Sequence, residues 1–156
     1  MNITTTLRHH VNCSWMLLKV TYGLFFIILG ADKFFNMITD WQKFVNPMIT
    51  EKLAAASIDL SQFMMGVGVL EIIIGLLILF GLTRIGAYLA AVVAFVGAAS
   101  MLSMGTISTS NLALMVGPFG DIALRDIVIG VGALVLAYLT TIHEEVYSKK
   151  GDGARR

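Results

Sequence analysis

The sequence has few charged side chains and a single cysteine. Lysine, arginine, aspartate and glutamate make up 13% of the 156 residues, whereas a soluble domain carries about a quarter. A chain with so little charge cannot cover itself with a water-compatible surface, so it needs lipid. One cysteine, Cys13, excludes an internal disulfide and a CxxC redox pair. The net charge of +1 gives no basic field, so we expect no nucleic-acid partner.

Long apolar stretches take the place of the missing charge. A membrane-spanning helix needs about 20 mostly apolar residues and satisfies its own backbone hydrogen bonds in lipid. The sequence therefore predicts an all-α, polytopic membrane protein, an antiparallel four-helix transmembrane bundle. We expect one membrane domain over residues 1–148 and a polar, disordered tail over residues 149–156. The four predicted spans cover residues 14–35, 60–80, 84–104 and 121–142.

Two links between the spans have a composition of their own. In residues 32–59, apolar residues recur at helical spacing from Phe34 to Val45 with polar residues between them. This pattern predicts an amphipathic helix in the membrane interface, with Trp41 at headgroup depth and Asn46-Pro47 as its end. The link over residues 105–120 is uncharged and rich in serine, threonine and glycine, and we expect it to fold back over the bundle.

The distribution of lysine and arginine predicts the orientation. Cytoplasmic loops carry the excess of these residues. The side with both termini has seven of them: Arg8, Lys19, Arg84, Lys149, Lys150, Arg155 and Arg156. The other side has four: Lys33, Lys43, Lys52 and Arg125. The count favours cytoplasmic termini.

Glu71 is the most informative residue, because it lies near the middle of the second span. A charge at this depth costs about 2.5–3.5 kcal/mol on insertion scales. Gly68 and Gly75 lie about one turn to either side of it and place it on a face suited to close packing. Two interpretations stay open: a carboxylate that handles a proton or a ligand, and a structural ion pair that joins two helices.

Other polar residues are expected on the same side of the bundle. Lys33 shares a helical stripe with Tyr22 and is the candidate partner of Glu71, although it could instead extend to the interface and end the helix. Arg125 and Asp126 open the fourth span on that side, and Arg125 is a second candidate partner. We predict that Lys33, Glu71, Arg125, Asp126 and Tyr22 form a buried polar cluster or a ligand-binding site.

The sequence shows no clear metal site or cofactor-binding motif. His9, His10 and His143 lie toward the opposite face, where we expect solvated side chains and no metal. There is no phosphate-binding glycine loop and no nucleophile elbow. We therefore predict no resident cofactor and consider a non-enzymatic role more consistent with the sequence.

Three motifs resemble a known family. Residues 25–30 read FFIILG and precede Lys33-Phe34, residues 66–77 read GVGVLEIIIGLL, and Arg125-Asp126 opens the fourth span. With these motifs the chain resembles the DoxX-like membrane proteins, most closely the YkgB-type branch, which includes a reactive-chlorine-resistance protein of the inner membrane. The resemblance implies a four-span bundle in a bacterial inner membrane, and supports the fold more than a particular function.

Three functions are compatible with this resemblance. The first is an accessory component of membrane redox or oxidative-stress defence, which binds a lipid or quinone-type ligand or a redox-enzyme partner. The alternative is a small homodimeric transporter that couples proton movement to Glu71. The third is a subunit of a membrane enzyme, such as a quinone reductase, whose electron carrier is supplied by a partner.

Overall fold

The structure is a computed structural model that describes the backbone of residues 3–108 and 118–153, and the side chains of residues 9–104 and 120–146. Within these residues all regular secondary structure is helical. The elements are α1 (Ile3–Phe35), a 3-10 helix (Trp41–Phe44), α2 (Pro47–Ala55), α3 (Leu60–Leu79), α4 (Thr83–Ser108) and α5 (Pro118–Gly153).

The prediction of four long apolar helices is confirmed. Four helical segments in the described part are long and apolar enough to cross a membrane: His9–Phe35, Leu60–Leu79, Thr83–Met104 and Gly120–Val146. The sequence therefore gives a multi-pass, all-α membrane protein, as predicted.

The ends of the helices differ from the prediction in two places. α4 continues to Ser108, and residues 109–117, with most of the link expected to fold back over the bundle, lie outside the described residues. α5 is helical as far as Gly153, past the start of the tail that the sequence predicts to be disordered. Residues 154–156 are also outside the described part.

The segment after α1 corrects one expectation. No continuous amphipathic helix covers residues 34–45; α1 ends at Phe35, and Asn36 adopts a φ of 48°. This left-handed conformation is tolerated by asparagine and turns the chain away from the helix axis. The Asp32 carboxylate then accepts hydrogen bonds from the backbone N–H groups of Met37 and Ile38, at 2.9 and 2.8 Å. These bonds hold the chain in a loop where apolar spacing alone predicts a helix.

Asn46-Pro47 begins a helix, which is the reverse of its predicted role. The Asn46 side chain accepts the backbone N–H of Met48, and Pro47 occupies the first turn of α2. Asparagine is a preferred N-cap residue. Proline is favoured in the first turn because a backbone N–H at that position would have no hydrogen-bond partner within the helix. A short helix thus follows the first span, but it starts at Pro47.

The four long helices form a closed ring. α1 packs along α3 and α4 packs along α5, while smaller contacts join α3 to α4 and α1 to α5. Since consecutive spans run in opposite directions, every neighbouring pair is antiparallel. α1 and α4 consequently lie on one diagonal of the bundle, and α3 and α5 on the other.

Glycines allow α1 and α3 to approach closely. A Cβ at Gly30 would lie 2.5 Å from the carbonyl oxygen of Gly68, and a Cβ at Gly75 would lie 2.6 Å from that of Gly23. The paired glycines are seven residues apart on each helix, so they recur after two turns on the same face. Small residues at such positions bring helix backbones together in lipid, where no hydrophobic force does so.

Two clusters of buried side chains fill the bundle at different levels. The larger cluster lies toward the termini and includes Phe26, Ile74, Ile78, Ala87 and Leu136, of which the last four are fully buried. The smaller one, Ala98, Met101 and Ala123, lies toward the opposite end. The space between α1 and the smaller cluster is not filled by these residues.

Gly68→Ala tests the close contact of α1 and α3. We expect it to destabilise the protein by about 1–3 kcal/mol because the added methyl group meets the opposite backbone. Gly66→Ala is the matched control on the same helix, since a Cβ there meets no atom within 4 Å. Removing a helical glycine at such an open site is expected to stabilise by about 0.5–1 kcal/mol. Melting temperatures in mild detergent measure both, and equal values for the two variants would contradict the contact.

Candidate functional site

A buried ion pair joins α1 to α3. Lys33 Nζ lies 2.6 Å from Glu71 Oε2, and the two residues are only 6% and 7% exposed. Of the two partners that the sequence allows for Glu71, the structure therefore selects Lys33. A pair this deep is stable only when the attraction between the charges and their hydrogen bond offsets the loss of hydration.

Gly68 explains how Lys33 reaches Glu71. Lys33 is in the last turn of α1, nearer the membrane surface than Glu71. The position that a Cβ of Gly68 would occupy lies 3.1 Å from Lys33 Cβ. Because Gly68 has no side chain, the lysine stem can run across α3 at this point and reach the carboxylate one turn further along. The close contact of α1 and α3 and the ion pair thus depend on the same glycine.

Trp41 contacts Lys33 of the ion pair, and Asp32 in turn fixes the position of Trp41. The Trp41 ring centroid is 4.0 Å from Lys33 Nζ, in reach of a cation–π interaction. The indole Nε1 donates a 2.6 Å hydrogen bond to Asp32 Oδ2. Trp41 therefore packs against the lysine. The sequence offers little signal for this role, because tryptophan at a span end is typical of interfacial anchoring.

A cavity of about 490 Å³ lies beside the ion pair. All four spans and the segment after α1 contribute to its walls, which are mostly apolar. Phe25, Phe26, Met64, Val93 and Ile129 are among the apolar residues. The polar side chains in the wall are Lys33, Thr39, Trp41, Glu71, Ser100, Arg125 and Asp126.

Residues 36–46, which we call the cap segment, cross the bundle over this cavity. At α1 the segment is held by the hydrogen bond between Trp41 and Asp32. At α4 the Asn46 side-chain nitrogen donates a 2.7 Å hydrogen bond to Ser103 Oγ. α1 and α4 lie on a diagonal, so the cap segment crosses the end of the bundle that is opposite the termini.

The cavity is continuous with the outer surface between α3 and α4. Leu70 of α3 and Val92 and Val96 of α4 line the cavity, yet they are 44%, 58% and 64% exposed. In contrast, the two helices are in close contact near their connecting turn, where Gly86 packs on Ile78. The helices therefore leave a lateral opening that faces lipid.

The remaining predicted site residues divide into two groups. Arg125 and Asp126 line the cavity from α5, with Arg125 Nη2 3.3 Å from Asp126 Oδ1 and side chains 51% and 20% exposed. They form a second, more exposed pair that does not contact the first. Tyr22 does not line the cavity: its hydroxyl donates a 2.9 Å hydrogen bond to the carbonyl of Ile129 and joins α1 to α5.

The opposite end of the bundle is held by a different set of contacts. His143 stacks on Trp15 at a centroid distance of 3.9 Å and is hydrogen-bonded to Asn12 at 3.0 Å. Trp15 in turn donates to Thr140 Oγ1. These contacts, two of which involve His143, join the start of the first span to the end of the last.

The ion pair can be tested by a double-mutant cycle. Glu71→Leu leaves Lys33 buried without a partner, and Lys33→Met does the same to Glu71. We expect each to cost about 3–5 kcal/mol of stability, and the double variant to cost much less than their sum.

The matched control is Lys43→Met, because the Lys43 side chain is 75% exposed and its pairing with Asp40 is at the surface. We expect this substitution to lower the free energy of unfolding by only about 0–1 kcal/mol. Reversible unfolding in detergent measures all four variants. Additive costs in the double variant would contradict a direct interaction between Lys33 and Glu71.

Comparison with known proteins identifies the family. The family model described as DoxX matches residues 14–103, which contain Lys33, Glu71 and the cap segment but not Arg125 or Asp126. No curated protein and no solved structure matches the chain. Since the matched residues make up more than half of the chain and include the membrane-buried ion pair, the chain belongs to the DoxX family.

Proposed function

We propose that this protein is a non-enzymatic, accessory component of membrane redox or oxidative-stress defence, and that it holds a lipid or quinone-type ligand in its cavity. The observation that carries the proposal is an apolar cavity of about 490 Å³ with a buried ion pair in its wall. Small-molecule sites have volumes of about 300–1,000 Å³, mostly apolar walls and a few polar groups. The walls suit a hydrocarbon tail, and the charged side chains suit a polar head.

The lateral opening supports a ligand that comes from the bilayer. Leu70, Val92 and Val96 surround the opening, and all three are apolar. At the end opposite the termini, the cap segment crosses over the cavity. A membrane-soluble molecule can therefore reach the cavity from lipid without passing the cap segment.

The redox assignment comes from the resemblance to the YkgB-type branch. The chain's only cysteine is Cys13, so it cannot form an internal disulfide. We therefore assign any electron transfer to the ligand or to a redox enzyme that partners this protein. We place the protein in a bacterial inner membrane, as the resemblance implies, with cytoplasmic termini, as the distribution of lysine and arginine favours.

A homodimeric, proton-coupled transporter that uses Glu71 is the second candidate. It is favoured by the depth of Glu71 in its span and by its place in the cavity wall. A transporter also needs a path to the other side. The larger cluster closes the cavity toward the termini with Ile74, Ile78 and Leu136, which are fully buried. This arrangement supports a binding protein over a conduit.

Native mass spectrometry of the protein, purified in mild detergent from its own membrane, tests the proposal. We expect a lipid or quinone-type molecule to remain bound to the wild type. Val96→Trp, which places a large ring at the lateral opening, is expected to lose most of it. Val128→Trp is the control, because Val128 is 69% exposed on α5 and does not line the cavity.

Different results separate the candidates. A bound redox subunit would support the accessory role directly. Equal retention of the ligand by both tryptophan variants would contradict binding in the cavity. A ligand-free homodimer, with proton-coupled flux in liposomes that Glu71→Gln abolishes, would replace the proposal with the transporter.

A further inference from the structure

Two carboxylate oxygens in the cavity wall have no hydrogen-bond donor within the part of the chain that the structure describes. Glu71 uses Oε2 for Lys33, and Asp126 uses Oδ1 for Arg125. Among the described residues, neither Glu71 Oε1 nor Asp126 Oδ2 has a hydrogen-bond partner. The described residues also have no fully buried side-chain oxygen or nitrogen that lacks a partner. Both oxygens are therefore accessible, and both residues line the cavity.

The cations in the wall are already engaged. Lys33 Nζ contacts Glu71 on one side and the Trp41 ring on another. Arg125 is paired with Asp126. Two positive and two negative groups thus line the cavity, and their charges cancel. An anionic head would have to displace a carboxylate from its partner and would meet the second carboxylate nearby.

A carboxylate accepts hydrogen bonds and cannot donate them while ionised. The polar head of a ligand that binds the two free oxygens must therefore supply the hydrogen-bond donors. Hydrogen bonds to a charged acceptor are stronger than those between neutral groups. Glu71 is on α3 and Asp126 on α5, which lie on a diagonal, so the free oxygens approach the cavity from opposite walls. Their charges are close enough to interact with each other and with Lys33.

We propose that the ligand's head is a neutral hydroxyl group, such as a phenol or a long-chain alcohol, which donates a hydrogen bond to Glu71 or Asp126. The inference rests on the proposed function, because it concerns the same cavity. It adds a selection rule. The site prefers a head that donates hydrogen bonds over one that only accepts them, and over a phosphate head, so among quinone-type ligands it selects the reduced form, which carries hydroxyl groups.

Three probes with the same tail test this rule on the wild-type protein in mild detergent. 4-Decylphenol can donate, 4-decylanisole carries a methyl group in place of the proton, and decyl phosphate is anionic. Calorimetric titration measures each, with protein-free micelles as the reference for partitioning. Loss of a hydrogen bond to a charged group is expected to weaken the anisole about 10- to 100-fold relative to the phenol.

The outcomes are distinct. The inference is supported if 4-decylphenol binds more tightly than the other two probes. Equal affinity for phenol and anisole overturns the selection rule but leaves binding in the cavity intact, and tightest binding of decyl phosphate overturns it in favour of an anionic head. No binding of any probe contradicts both the inference and the proposed function.

Asp126→Leu tests one of the two acceptors. Arg125 is half-exposed, so water can solvate it when its partner is removed, and the variant is expected to fold. Asp121→Leu is the matched control, since Asp121 is an exposed carboxylate at the start of the same helix and does not line the cavity. We expect Asp126→Leu to reduce the preference for phenol over anisole several-fold and Asp121→Leu to retain it. An unchanged preference in Asp126→Leu, together with an unchanged preference in the double variant Lys33→Met/Glu71→Leu, which removes the other acceptor, would overturn the inference.

Discussion

The ion pair between Lys33 and Glu71 is the constraint on which the rest of the bundle depends. Two charges this deep in a membrane must stay together, because either one alone is strongly unfavourable in lipid. Their contact fixes the position of α1 along the axis of α3. It requires a glycine at position 68 for the lysine stem, and it sets the position of Trp41 through the charge on Lys33. Trp41 then links the pair to Asp32 and the cap segment.

The packing of the helices explains why a cavity remains. Glycine pairs draw α1 onto α3, and small residues such as Ala98 and Ala123 lie between α4 and α5. The two helix pairs meet tightly only toward the termini, where the larger cluster fills the bundle. In the other half the space between them is bounded by charged side chains, the cap segment and lipid. A closed core at one end and an open one at the other is consistent with a protein that holds a membrane-soluble molecule.

The sequence predicts the spans well because long apolar stretches have few alternatives to a membrane helix. It also points to Glu71 and Lys33, since charge at membrane depth is rare, and Gly68 marks the packing face. It does not decide between Lys33 and Arg125, because that choice depends on the helix register. The cap segment was predicted wrongly because the apolar spacing from Phe34 to Val45 also suits a helix. Hydrogen bonds to Asp32, which no periodicity reveals, favour the loop. Tyr22 shares a stripe with Lys33, yet it points to α5.

Trp41 offers the most direct test that the cavity holds a ligand beside the ion pair. The chain has two tryptophans, and Trp15 lies at the opposite end of the bundle, so Trp15→Phe leaves Trp41 as the only tryptophan, which can be excited selectively. A long-chain phenol with bromine on its ring should quench Trp41 fluorescence in reconstituted vesicles. If the cavity binds it, quenching saturates at a low mole fraction, and an unbrominated phenol reverses it. Quenching that only rises in proportion to the probe, without saturation or competition, would mean that Trp41 contacts bulk lipid and would contradict the account.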